Sequence, residues 1–163
     1  MGDRGLTDTV ALRRATNADA DLLLDWANDP ATRAASFRPG RIDPATHGRW
    51  LAERVASPTT RLFIGLVDGV PIGQVRLEGD ADGYAEVGIA VAPERRGAGI
   101  GPHLLAAGLA AGRRDADLHV VRFVARVRPE NGASVRLFEG AGFRLLGRET
   151  CSDSPCLVYL LEA

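Results

Sequence analysis

Hydrophobic positions along the 163-residue chain switch repeatedly between period two and period 3.6, and the switches divide it into elements. The stretch TVALRRAT, residues 9–16, reads as a strand. NADADLLLDWAN follows with helical spacing: Leu22, Leu23 and Trp26 share one face, Asn17 stands in the cap position, and Pro30 predicts a stop near Asp29 because a residue before proline avoids helical backbone. A loop around Pro39 and Gly40 then leads to a second helix, DPATHGRWLAERVA, opening at Asp43. RLFIGLV and VPIGQVRLE, joined by Asp68 and Gly69, predict a β-hairpin, since a two-residue Asp-Gly connection suits the strand twist. YAEVGIAV predicts the next strand, Gly97 to about Gly112 a helix, LHVVRFVARV a strand, Ala133 to Ala141 a helix, and FRLLGRET and PCLVYLLE two closing strands. Hairpin first and alternating strands and helices later predict an α/β (α+β) domain, with a mixed sheet covered by helices on both faces.

Length and a 45% hydrophobic content fit a single domain over 1–163. Lys and Arg number 20 against 21 Asp and Glu, so the overall balance argues against a nucleic-acid partner, and any anionic ligand must be small and held by a local site. All 20 cations are arginines, which removes lysine-based mechanisms and, with them, the phosphate-binding P-loop. The start, MGDRGLTDTV, lacks the apolar core of a signal peptide, Leu6 breaks the myristoylation pattern, and the longest apolar stretch, Leu104 to Ala111, is far short of a membrane span. A cytoplasmic protein without a membrane partner is the expectation. Cys151 and Cys156, the only cysteines, have no His pair nearby to complete a metal site, so no metal is assigned and two free thiols are expected.

The most informative stretch is PERRGAGIG, residues 93–101, between a strand and a helix. A dinucleotide fingerprint needs glycine at 102, where this chain has Pro102. Three features instead predict an anion cradle. The loop feeds a helix, so free backbone N–H groups and the positive end of the helix dipole converge there. Glycines at 97, 99 and 101 remove Cβ atoms that would hold a phosphate off the backbone. Arg95 and Arg96 supply fork-shaped donors for further oxygens, so a pyrophosphate suits the loop better than one phosphate.

These residues resemble a known family. RRGAGIG contains the R-x-x-G-x-G pattern of the GNAT superfamily of N-acetyltransferases (Arg96, Gly99, Gly101), and RPENGASVRLFEGAGF, residues 128–143, is similar to its second signature. The resemblance extends over essentially the whole chain. It implies the GNAT fold, a mostly antiparallel seven-stranded sheet whose central strands splay apart, with the thioester of acetyl-CoA in the gap. It further implies that residues 97–101, Gly97, Ala98, Gly99, Ile100 and Gly101, hold the cofactor pyrophosphate. Ile89, Ala90 and Val91 would pair with its pantetheine arm, and Asn131 and Ser134 would meet it from the other side. Members of this fold often form homodimers.

Acetyl transfer to an amine needs a neutral amine, a polarised carbonyl and an exit for the thiolate. Glu86 shares a strand face with the small residues Gly88 and Ala90, and a carboxylate desolvated between Tyr84 and Val87 would have the raised pKa of a useful base. The resemblance implies a bulge near Val91 that presents a backbone N–H to the carbonyl. Many members carry a tyrosine acid where this chain has Phe138, which cannot donate; Tyr84, Tyr159, a thiol or water are the substitutes, and no acid is assigned.

The N-terminal third should shape the acceptor pocket. WANDPATR, residues 26–33, and HGRWL resemble the PseH-like branch acting on aminosugars in sugar nucleotides, which implies pocket roles for Arg33, His47 and Trp50: an arginine for phosphate, an aromatic for stacking. Gln74 and Arg76 alternate on the third strand and either face solvent or join that pocket. The reading is therefore an acetyl-CoA-dependent N-acetyltransferase working by direct attack of a small-molecule primary amine, best an amino sugar or sugar nucleotide. Two alternatives stand beside it: a ribosomal-protein-type N-terminal acetyltransferase, because similar N-terminal stretches occur there, and a non-catalytic acyl-CoA sensor.

Overall fold

The computed structural model describes residues 10–163. Seven strands form one mixed sheet in the order β1-β2-β3-β4-β5-β7-β6. The strands are β1 (Ala11–Arg14), β2 (Thr60–Val67), β3 (Val70–Gly79), β4 (Tyr84–Val91), β5 (Arg122–Val127), β6 (Arg144–Cys151) and β7 (Ser154–Glu162). The helices are α1 (Ala20–Ala27), α2 (Pro30–Ala35), α3 (Pro44–Ala56), α4 (Ile100–Arg114) and α5 (Gly132–Gly140). No helix among them is long and apolar enough to cross a membrane. Thr9, in the first predicted strand, lies outside the described residues.

Period two sorts the side chains onto two faces. On one, Ile72, Val75 and Leu77 of β3 and Ala85 and Val87 of β4 pack with Leu104, Leu105 and Leu109 of α4 and Phe138 of α5. On the other, Leu62 and Ile64 of β2 meet Leu23 and Trp26 of α1 and Leu51 of α3. Each face thus buries its own helices, as the alternation predicted.

The feature that matters for function lies between β4 and β5. Their parallel ladder runs only from Tyr84↔Arg122 to Glu86↔Val124, although both strands continue, β4 to Val91 and β5 to Val127. The sheet is therefore split beyond Glu86. On its other edge β4 stays paired with β3 without interruption from Ala85 to Val91. The bulge expected near Val91 is absent from that ladder; the register shifts fall at Gly65/Leu66 and Leu145/Gly147 instead.

Several expectations need correction. The cap of the first helical segment is Thr16, not Asn17: Thr16 Oγ1 accepts from the Ala18 N–H, while Asp19 returns a bond to the Thr16 N–H and pairs with Arg13 at 2.7 Å. The predicted loop before Asp43 contains α2, a six-residue helix with no buried residue and hence no periodic apolar signal. β5 starts at Arg122 rather than Leu118, since residues before it turn through His119 at φ 46°. Cys151 and Cys156 are joined in a disulfide across the β6–β7 hairpin, so the expected free thiols do not exist.

Candidate active site

The loop after β4 is built as the glycine spacing requires. Gly97 and Gly99 have φ of 77° and 72°, left-handed values that L side chains adopt only at a cost, and a Cβ on either would project into open space. Gly99 is the N-cap of α4 and, lacking a side chain, leaves the first-turn N–H groups of a 15-residue helix without a protein acceptor. An open, positively polarised cradle results, and it suits a pyrophosphate. It forms one end of a cleft of about 740 Å³ that also follows Val87, Gly88, Ile89, Ala90 and Val91 along the split edge and reaches Asn131, Ser134 and Phe138 on α5. Arg95 and Arg96 line it, as do Gly97, Gly99, Ile100 and Gly101; Ala98 does not.

Ladder alternation fixes which peptide groups face the gap. Ala92 N–H bonds to Ile72 and Asp80 N–H to Tyr84, so even-numbered residues of β4 turn their peptide groups toward β3. The N–H and C=O of Ile89 and Val91 therefore point away from β3, into the region where β5 no longer pairs. That edge can accept an extended amide-containing chain as an added strand.

A second cavity, about 700 Å³, opens on the opposite side of β4. Arg33, His47, Trp50, Gln74 and Arg76 all line it, with Trp26, Arg38, Arg41 and Asp43. Gly88, Ile89, Ala90, Thr32 and Ser36 line both cavities, so the two meet over the small residues of β4. The roof of the junction is α2. Arg96, from the loop after β4, pairs with Asp29 at 2.8 Å and donates to Thr32 Oγ1; Arg128, from the segment after β5, donates to the carbonyls of Ala34 and Ser36. The helix is thus tied to both banks of the split. Asp29, Thr32 and Arg128 escaped the sequence reading, although Asp29-Pro30 is an N-cap followed by a first-turn proline, a start signal taken there only as a stop.

The WANDPATR stretch proves to be the framework of this cavity. Trp26 is buried, Asn28 exchanges two hydrogen bonds with the backbone of Ile42, and Asp29 caps α2. Arg33 spends its guanidinium on the carbonyls of Ala27, Arg38 and Gly40 and on Ser36 Oγ. It lines the cavity yet is not the unengaged phosphate ligand expected of it. Arg41 has no ion-pair or hydrogen-bonding partner among the described residues, and Arg38 only a 3.4 Å contact from Nε to Ser152. His47 is only 5% exposed, stacks near Trp50 with centroids 5.3 Å apart, and has its pKa lowered by burial. The one carboxylate in the lining, Asp43, accepts from Thr46 N–H as the cap of α3.

Glu86 departs from the desolvated setting expected for it. Its side chain is 42% exposed, and Oε2 lies 2.7 Å from Nη1 of Arg126, which also holds Glu149. It shares a face with Gly88 and Ala90 but lines neither cavity; its partner Arg126 does line the cofactor-side cleft. The substitutes considered for an acid are engaged elsewhere. Tyr159 donates to Glu139 at 3.0 Å, with its pKa raised by burial, and Tyr84 accepts from Arg122. Phe138 is buried edge-on against Phe143.

A split seven-stranded sheet with an open helix start at one bank offers a groove in which a long chain with an anionic end can lie. The family is shown by sequence: the model described as an acetyltransferase (GNAT) domain matches residues 9–144, and the chain belongs to the GNAT acetyltransferases. It is an N-acetyltransferase of that family. No curated protein matches it by sequence. Among solved structures, it is similar to the aminoglycoside acetyltransferase AAC(6')-Ib in complex with paromomycin and acetyl-CoA, at 22% identity and a TM-score of 0.83, over 95% of this chain and 94% of that one. A spermidine N-acetyltransferase from Vibrio cholerae with CoA and spermine matches at 20% and 0.83, over 94% and 95%. A ribosomal-protein-alanine N-acetyltransferase from Brucella melitensis matches at 23% and 0.78, over 94% and 99%. At these identities the likeness is one of fold.

Proposed function

We propose that the enzyme acetylates the primary amine of a small anionic molecule, best an amino sugar or a sugar nucleotide. The observation that carries this reading is the second cavity: tryptophans and arginines wall it, and its single carboxylate already caps a helix. Such a wall repels polycations and attracts phosphate, while an indole suits the flat face of a sugar or base. Acetyl-CoA in the cleft supplies a thioester whose acyl carbon the amine nitrogen attacks, the N–C bond forming as the C–S bond breaks and sulfur leaves as thiolate. The cradle of residues 97–101 holds the pyrophosphate, the Ile89 and Val91 amides orient the arm and its carbonyl, and Gly88 and Ala90 leave the floor open between the cavities. Glu86, on the same strand face, takes up the proton lost by the amine, directly or through water.

The test is CoA release from acetyl-CoA, followed with a chromogenic thiol reagent against UDP-linked aminosugars, free aminosugars, peptides, polyamines and aminoglycosides. Turnover confined to aminosugars and their nucleotides is the expected result. Turnover with polyamines or aminoglycosides alone overturns the anionic acceptor, and turnover with peptides alone transfers the assignment to protein N-termini.

A further inference from the structure

Strand β3 sends two consecutive polar side chains into the acceptor cavity, and their circumstances differ. Arg76 is engaged: Nε lies 3.4 Å from Glu78, its guanidinium stands 5.7 Å from the Trp50 ring centroid, and it covers the space that a Cβ on Gly88 would need. Glu78 is in turn 2.8 Å from Arg54. Gln74 is different. Its Oε1 is buried with no hydrogen-bond partner among the described residues, whereas the buried Arg76 Nε, also without a hydrogen bond, has the Glu78 carboxylate at ion-pair distance. Folded proteins seldom leave a buried carbonyl oxygen unpaired, so this one, on a half-buried side chain that lines the cavity, marks a seat for an outside donor once the amide turns about its soft terminal torsion to present the oxygen. The ladder places Gln74 directly opposite Ala90, which lines both cavities.

We propose that Gln74 Oε1 accepts an N–H of the acceptor's primary amine and seats it beside Ala90, where the cavities join. The inference rests on reading the second cavity as the amine site. A neutral amine that donates one N–H keeps its lone pair for attack. The neutral amide also explains why glutamine stands here rather than glutamate: a carboxylate would pair with the ammonium, raise its pKa and hold the nitrogen protonated. The charged groups around this point are Arg76 and Glu78 on β3, Arg54 and His47 on α3, Arg33 on α2, Arg38, Arg41 and Asp43 between α2 and α3, and Glu86 on β4. Each carboxylate among them already has a partner: Glu78 two arginines, Glu86 Arg126, and Asp43 the N–H of Thr46.

The chain has two tryptophans, and both line this cavity, so their fluorescence reports acceptor binding without turnover. UDP-glucosamine and UDP-2-deoxyglucose, which has no donor at the carbon that bears the amine, are titrated into wild type, Gln74→Leu and Gln74→Glu, and CoA release is measured across pH in parallel. The wild type should prefer the amine by about tenfold, and Gln74→Leu should lose that preference while keeping its acetyl-CoA affinity. Gln74→Glu should restore the preference and move the rising limb of the pH–rate profile to higher pH, a displacement that a merely structural role would not cause. A wild type without the preference, or a leucine variant that retains it, overturns the inference. If the wild type shows the preference but releases no CoA, the aminosugar transfer reading fails and the seat stands. If CoA release is equal in wild type and leucine variant, the seat fails and the transfer reading stands.

Discussion

The two cavities that meet over Gly88 and Ala90 are made of different materials. The cofactor-side cleft is largely backbone: two left-handed glycines, the uncapped start of α4 and the unpaired edge of β4. The second cavity is largely side chains, brought from α1, α3, β3 and the segment around α2. Backbone geometry tolerates few residue types and so leaves a strong trace in a sequence. Side-chain walls can be assembled in many ways, and theirs is faint.

The sharpest way to break this division is to put a charge into the backbone cradle. Gly97→Glu should weaken acetyl-CoA binding by at least about a hundredfold in a calorimetric titration, because the carboxylate enters the space meant for phosphate. Gly97→Ala separates causes, since it carries only the left-handed penalty of ~1 kcal/mol and should bind within about tenfold of wild type. Unchanged affinity in the glutamate variant would remove the phosphate assignment.

Glu86→Gln probes the boundary between the regions. It should lower kcat by roughly ten- to a hundredfold, with acetyl-CoA affinity retained. Because Arg126 loses its partner at Glu86 but keeps Glu149, the fold should be little affected. A protein that only senses acyl-CoA would show no turnover to lose, and an enzyme with full activity in this variant deprotonates its amine elsewhere.

The smallest effect is expected from the acceptor wall itself. Burial lowers the pKa of His47 below its ordinary 6.5. As pH falls through that value, the imidazole of the unfolded chain takes up a proton that the folded one still refuses, so folding stability declines on acidification. Thermal midpoints between pH 7 and pH 5 should fall less steeply in His47→Gln than in wild type. Parallel curves would show that His47 is not held neutral by the fold.

The strands of the central hairpin and β4 end within a residue or two of the predicted limits, because period two and an Asp-Gly turn state both length and face. Helix α2 went unseen although its cap was in view, since no apolar stripe announces a helix that buries nothing. Arg33 shows the limit from the other side: it lines the second cavity, but its guanidinium is bound to the carbonyls of Ala27, Arg38 and Gly40. Nothing in local sequence tells an arginine that binds a ligand from one that shapes the wall around it. Glu86 is similar, for its face followed from alternation and its ion pair with Arg126 did not.

Local sequence determined which residues turn, which alternate and which leave backbone N–H groups uncovered, since these depend on a few neighbouring dihedral angles. The cradle of residues 97–101 was therefore legible before any fold was known. Only the tertiary structure decided where β4 and β5 part, that Arg96 and Arg128 tie α2 across the split, and that Cys151 meets Cys156. It also decided that Gln74 Oε1 is buried with no hydrogen-bond partner among the described residues. Each of these depends on pairing partners distant along the chain, and a pattern of neighbours carries no record of them.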